Sequence, residues 1–191
     1  MYTHTDGHCY LKQGAGAPDH AWLLGLLEWA GVSGDPVVWD WTAKCGEQLA
    51  GLKSDFSKTD LRTTAMQLHM MSQFYLYTGE RKYLDAARGP AEALIKLQKP
   101  DGTWSAYLAE PDRPHGGGFV EHALMAIGDY AQASGDARAL ETLKRSLQWA
   151  FTDGGNKLGG TTAEAGLSMH GAALAGELTG DAAYAGIVEN A

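Results

Sequence analysis

The sequence is short of several things, and each shortage excludes a class of protein. Its two cysteines in 191 residues, Cys9 and Cys45, sit at no metal-ligand spacing and form no disulfide framework, so they read as two free or buried thiols. Lys and Arg together number 15 against 23 Asp and Glu, and no basic run offsets the net charge of −8. That balance argues against nucleic acid or an anionic membrane as partner. No apolar run approaches the roughly 18 residues of a membrane-spanning helix, and no basic-then-apolar leader opens the chain. Met1-Tyr2-Thr3-His4 reads like the interior of a domain, with any export signal upstream. No segment alternates with the period of a strand in competition with a helical pattern.

Glycine, by contrast, is plentiful at 25 residues, and four glycines are placed alike. They stand in Ser33-Gly34-Asp35, Thr78-Gly79-Glu80, Ser134-Gly135-Asp136 and Thr179-Gly180-Asp181, each between two apolar runs. The glycines at 34, 79, 135 and 180 lie 45, 56 and 45 residues apart. A period in that range marks a helical hairpin that buries its apolar face only by stacking on its neighbours. Glycine supplies the left-handed residue that ends the first helix, and Asp or Glu caps the start of the second. The pattern predicts an all-α fold of antiparallel helical hairpins over about 18–52, 61–98, 119–151 and 163–191, with residues 1–17 as a loop. Trp29, Trp41 and Trp149 are assigned to the core, and Pro90 predicts a kink or late start in the fourth helix.

The connections alternate in length. Within a hairpin they are tight; between hairpins, at 53–60, 98–118 and 152–162, they are long. Hairpins that all point one way gather the long loops at one end, beside the starts of the odd-numbered helices, and such loops are where binding and catalysis concentrate. His4, His8, His20, His115 and His122 map to that end. His69 and His170 lie deeper, each ten residues before its turn glycine, at equivalent positions pointing toward the centre of a ring. For these two, packing against a neighbouring carbonyl and proton transfer both stay open.

The four turns and the stretch Leu94-Ile95-Lys96-Leu97-Gln98-Lys99-Pro100-Asp101-Gly102-Thr103-Trp104 carry a resemblance. The stretch is similar to the helix end and Q-x-P-D-G-x-W loop of bacterial carbohydrate-active (α/α) toroids, among them polysaccharide lyases and six-hairpin glycosidases. His4-Thr5-Asp6-Gly7-His8 and Asp19-His20-Ala21-Trp22-Leu23-Leu24-Gly25-Leu26-Leu27 resemble the first inner helix of lyase-type toroids, nearest to exo-acting rhamnogalacturonan lyases. A six-hairpin toroid has twelve helices, and this chain supplies seven and part of an eighth. The expectation is therefore an incomplete arc, with self-association or a missing remainder of the ring to cover its open edges.

The resemblance implies an enzyme, a polysaccharide lyase or glycoside hydrolase, acting on a carbohydrate substrate by β-elimination or hydrolysis. Export, extracellular or periplasmic, follows if that reading holds. A glycosidase needs two carboxylates across the scissile bond, with Asp6, Asp19, Asp101, Asp112, Glu121 and Glu164 available on the long-loop side. A lyase needs a cation for the uronate (Arg113 or Arg62), a base (His20 or His122) and an acid (Tyr107). The catalytic set is thus His20, His122, Tyr107 and Glu121, and the substrate-binding set is Trp22, Trp104, Arg113, Asp101, His4 and His8. Trp104 is assigned to sugar stacking because it lies in a loop. Asp101 also has a local reading in its Pro-Asp-Gly turn, and Glu121 a local one at a helix start. No cofactor is assigned; a metal at His4, His8 and His20 is a secondary reading on a spacing that matches no recognised signature.

Two other readings remain. Pro18-Asp19-His20-Ala21-Trp22-Leu23-Leu24 loosely resembles helices of the acylglucosamine-epimerase type, which would imply a sugar epimerase. A non-catalytic α-solenoid would instead present ladders of exposed side chains along a concave face.

Overall fold

The computed structural model describes residues 2–3, 9–10, 20–110, 112, 119–151 and 162–189, with side chains described from 23 to 110, at 112, from 119 to 151 and from 166 to 188. Eight helices follow one another as α1 (His20–Ser33), α2 (Pro36–Ala50), α3 (Leu61–Thr78), α4 (Arg81–Leu97), α5 (Val120–Ser134), α6 (Ala137–Phe151), α7 (Thr162–Thr179) and α8 (Ala182–Glu189). They pair into four hairpins. The N-terminal region departs from the expected loop: β1 (Tyr2–Thr3) and β2 (Cys9–Tyr10) pair antiparallel, Tyr2 opposite Tyr10.

The four turns are built alike. Gly34, Gly79, Gly135 and Gly180 have φ of 63°, 69°, 69° and 70°, the left-handed region that a side chain would strain. The Ser or Thr before each glycine accepts the N–H of the acidic residue after it, at 3.1–3.2 Å. Asp35, Asp136 and Asp181 then accept the N–H two residues on, at 2.8–2.9 Å. Glu80 makes no such cap; its longer side chain reaches Lys82 at 2.7 Å instead. The sequence marks the hydroxyl residue as part of the turn, and the structure gives its role. It ties the two helix ends together.

The odd-numbered helices lie side by side, α3 against α5 and α5 against α7, and each even-numbered helix packs on its hairpin partner in a second layer. Leu68 and Phe74 of α3, Tyr83 and Leu94 of α4, Leu124 and Ile127 of α5, and Leu143 and Leu147 of α6 join one apolar core. Helix α5 is its hub, with eleven of fifteen residues buried. Helices α2 and α4 end without a left-handed glycine, and a side chain from elsewhere takes a late carbonyl of each. Gln67 Nε2 donates to Leu49 O at 2.9 Å, and Trp104 Nε1 donates to Leu94 O at 2.8 Å.

Four expectations are corrected here. Helix α4 starts at its turn and continues through a buried Pro90, which removes the late start from the two readings of that residue. Core burial of that ring offsets the amide bond that proline removes. Trp29, expected in the core, is 58% exposed, because its side of α1 meets no other described element. Trp104, expected at the surface, is completely buried. Cys45 is disulfide-bonded, not a thiol, and Cys9 is the one other cysteine of the sequence.

Candidate active site

Seen along the odd-numbered helices, the accessible residues recur at helical spacing. One such stripe on α3 holds Arg62, Met66, Gln73 and Leu76, and one on α7 holds Gly166, His170, Ala173 and Glu177, beside further accessible residues such as Tyr77 and Leu178. These two stripes turn away from the even-numbered helices and define an inner face. In the middle of it lies a three-residue cluster. His69 Nδ1 of α3 donates to Asp129 Oδ2 of α5, and His170 Nε2 of α7 donates to Asp129 Oδ1 at 2.8 Å. The repeat places the two histidines at matching heights, and Asp129 bridges them.

Two glycines let the helices come this close. A Cβ on Gly171, next to His170, would stand 3.1 Å from Leu124 O; one on Gly128, next to Asp129, would stand 3.0 Å from Leu174 Cδ1. Larger residues there would part α5 from α7.

The cluster is graded in exposure. The side chains of Asp129 and His69 are 1% and 4% exposed, whereas that of His170 is 44% exposed. Burial alone pushes the Asp129 carboxyl up, but the hydrogen bonds and charge of His170 and His69 outweigh it and hold the group below its ordinary value. The hydrogen bond to Asp129 raises His170 against a smaller opposing effect of burial, helped by the charges of Asp129 and Glu177. A buried carboxylate thus stays ionised beside an imidazole whose protonated form it favours. Arrangements of this kind serve proton transfer.

Sequence reading named both histidines but not Asp129, and its packing alternative gave them a carbonyl partner where a carboxylate stands. A signal was present. Asp129 interrupts the apolar run Met125-Ala126-Ile127-Gly128-Asp129-Tyr130-Ala131, and a charge inside a core helix demands a partner.

The long-loop end holds part of the expected set. Tyr107 is 45% exposed and lies opposite Asp60, the N-cap of α3, in an isolated β-bridge. His122 is half-buried, its ring edge-on to Phe119 at 6.3 Å. Glu121, expected among the catalytic residues, is fully buried in the first turn of α5. Trp104 is buried too, and its ring offers no face to a sugar. Asp101, expected to bind substrate, accepts from Thr103 N at 3.0 Å and Thr103 Oγ1 at 2.7 Å, closing its own turn. That turn packs on α6 in the outer layer, where a Cβ on Gly102 would come within 2.4 Å of Arg145 O.

His4, His8 and Arg113 lie outside the described residues, as do the side chains of His20 and Trp22. Among the described residues no group of three His, Cys, Asp or Glu could hold a metal ion, and no helix is long and apolar enough to cross a membrane. A groove of about 380 Å³ between α6 and α8, lined by Lys144, Phe151, Tyr184 and Ile187 among others, belongs to the outer layer.

No protein-family model and no curated protein sequence matches the chain. Among solved structures it is similar to an α-1,6-mannanase, GH76A of Salegentibacter sp. HEL1_6, an inactive variant with two aspartates replaced by asparagine, in complex with α-1,6-mannotriose. The TM-score is 0.74 at 15% identity, over 98% of this chain and 63% of that one. At such identity the likeness speaks for architecture. The chain has the α/α toroid fold, and it spans 63% of the length of the mannanase it resembles.

Proposed function

We propose that this chain is the helical-hairpin domain of a carbohydrate-active enzyme that hydrolyses glycosidic bonds, with a saccharide lying along the inner face. The observation that carries the reading is the Asp129 cluster on that face, an ionised carboxylate shared by two histidines with one of them open to solvent. The mannanase with its bound mannotriose supports the substrate class, and α-1,6-mannan is the first substrate to try.

Hydrolysis is preferred to elimination on charge. A lyase must neutralise a uronate carboxylate. On the accessible stripes of α3 and α7, Arg62 is the fixed cation among the described residues, and Glu177 opposes it. The whole chain carries −8, which repels a polyanion further. Tyr107 and His122, at the long-loop end, stay in the proposal as contacts for the rest of the saccharide.

The test is turnover on α-1,6-mannan, neutral plant polysaccharides and polyuronates, following reducing ends together with unsaturated products by ultraviolet absorbance. Reducing ends without new absorbance support hydrolysis. New absorbance assigns elimination instead, and a folded sample silent on every substrate refutes the enzymatic reading.

A further inference from the structure

We propose that His170 is a saccharide-binding residue that meets a sugar hydroxyl through Nδ1, with Asp129 and His69 as its positioning residues. This rests on the reading above that a saccharide lies along the inner face. Cleavage of a glycosidic bond needs two carboxylates across it. The cluster holds one, Asp129, which is 1% exposed and committed to both imidazoles. Its part is to hold the sugar, and the bond-breaking carboxylates lie elsewhere. His170 stands eight residues into α7, about 12 Å from the helix start at the long-loop end. With a side chain 44% exposed against 4% for His69, it is the member of the cluster that a ligand can reach.

An ionised carboxylate only accepts hydrogen bonds, so Nε2 of His170 carries hydrogen and is committed to Asp129. Nδ1 bonds to no described residue and is the atom left for a ligand. It donates when the ring is protonated and accepts when the ring is neutral. A hydroxyl answers both states, because it can accept or donate; a carbonyl or an ammonium answers only one. The protonated ring and Asp129 together carry no net charge, which suits a neutral sugar.

The surface beside His170 fits the same ligand. One turn along the stripe stands Ala173, small and exposed, and two turns along stands Glu177, also exposed. The seven residues from His170 to Glu177 span about 10.5 Å of helix, and the charge of Glu177 acts on the His170 ring. A sugar laid over Ala173 thus has a hydrogen-bonding group at each end. His69 has a different task. By holding Asp129 Oδ2 it fixes the plane of the carboxylate, so that Oδ1 stays aimed at His170.

Amide replacements separate the ring nitrogens, since Gln carries its amide at the reach of Nε2 and Asn at the reach of Nδ1. H170Q therefore keeps the contact with Asp129 and loses the one with sugar. Reducing-end release from α-1,6-mannan gives kcat and KM, and calorimetry gives affinity for α-1,6-mannotriose. H170Q should raise KM and weaken affinity about tenfold, the worth of one hydrogen bond to a charged group. Its kcat should change little, because ground state and transition state are held alike. H170N should bind more tightly than H170Q. His69 meets Asp129 through Nδ1, so H69Q should weaken affinity and H69N should restore it, a rescue that lost packing would not show. In the wild type, mannotriose should move the His170 Nδ1 resonance saturably.

Affinity and KM of H170Q within about twofold of wild type overturn the assignment and, with cleavage intact, leave the glycosidase reading standing. A loss of about 100-fold in kcat at constant KM overturns it in favour of proton transfer. A His170 resonance unmoved at saturating sugar overturns it too, even where a variant fails to fold. A wild type that binds mannotriose at His170 without cleaving any substrate refutes the glycosidase reading and supports the contact. Absence of both binding and cleavage refutes the two together.

Discussion

Asp129 on α5 accepts Nε2 of His170 on α7 at 2.8 Å, and this contact joins the buried core to the open inner face. The carboxylate is 1% exposed and keeps its charge only because imidazoles on two neighbouring helices donate to it. Asp129→Ala would leave the buried His69 donor without its acceptor, while the half-open His170 can turn to water. Loss of one partner from a buried charged cluster costs about 3–5 kcal/mol, and in a domain of this size that lowers Tm by roughly 10 °C. Thermal unfolding followed by circular dichroism measures it. His170→Gln should cost about 1 kcal/mol or less, since its side chain is 44% exposed and solvent screens the pair.

The same cluster sets a pH window. His170 titrates above its ordinary 6.5 in the fold, so its stabilisation is complete below pH 6.5 and disappears as pH rises through the raised value. Asp129 titrates below 3.8, so its contribution is complete above pH 3.8 and disappears as pH falls through the lowered value. Stability from the pair is therefore full between pH 3.8 and 6.5. Denaturant unfolding across pH should show the alkaline decline in wild type and its absence in His170→Gln. An identical decline in both would assign it to another group.

Trp104 supplies a contrast between structural and functional aromatics. Its indole N–H satisfies the Leu94 carbonyl at the end of α4, and its ring is completely buried. Trp104→Phe keeps most of the packing and loses that bond, at about 1 kcal/mol, with no change in saccharide affinity. Chemical unfolding and calorimetric titration with oligosaccharide, done on the same sample, check both halves.

Gly171 tests how closely the site depends on helix approach. Ala at this position places a methyl 3.1 Å from Leu124 O, a backbone atom that moves only with its helix. Gly171→Ala should cost about 1–3 kcal/mol, as overpacking does, and should lengthen the contact between His170 and Asp129. Its second signature is a His170 titration shifted back toward 6.5, read by imidazole NMR.

The fold was legible because its punctuation is local. Each Ser/Thr-Gly-Asp/Glu turn carries its own geometry in three residues, and repetition at a near-constant period implies stacking. Burial of single aromatics was not legible. Trp29 lies on a helical stripe yet is exposed, and Trp104 lies in a loop yet is buried, because tertiary neighbours decide and period does not. The site was half legible. The equal distance of His69 and His170 from their turn glycines marked a shared level in the fold. The residue that unites them, Asp129, lies in another repeat and four residues nearer its own turn glycine, where no pairwise spacing pointed.

The central claim is that saccharide binds along the inner face. Methionine methyl groups read it directly, because Met66 lies half-buried on the α3 stripe and Met125 is 6% exposed one turn from Asp129, whereas Met70 and Met71 are wholly enclosed in the core. A methyl-labelled sample titrated with α-1,6-mannotriose should show saturable shifts at Met66 and Met125, with Met70 and Met71 unmoved. Saturable binding that leaves Met66 and Met125 in place would put the sugar elsewhere and contradict the account.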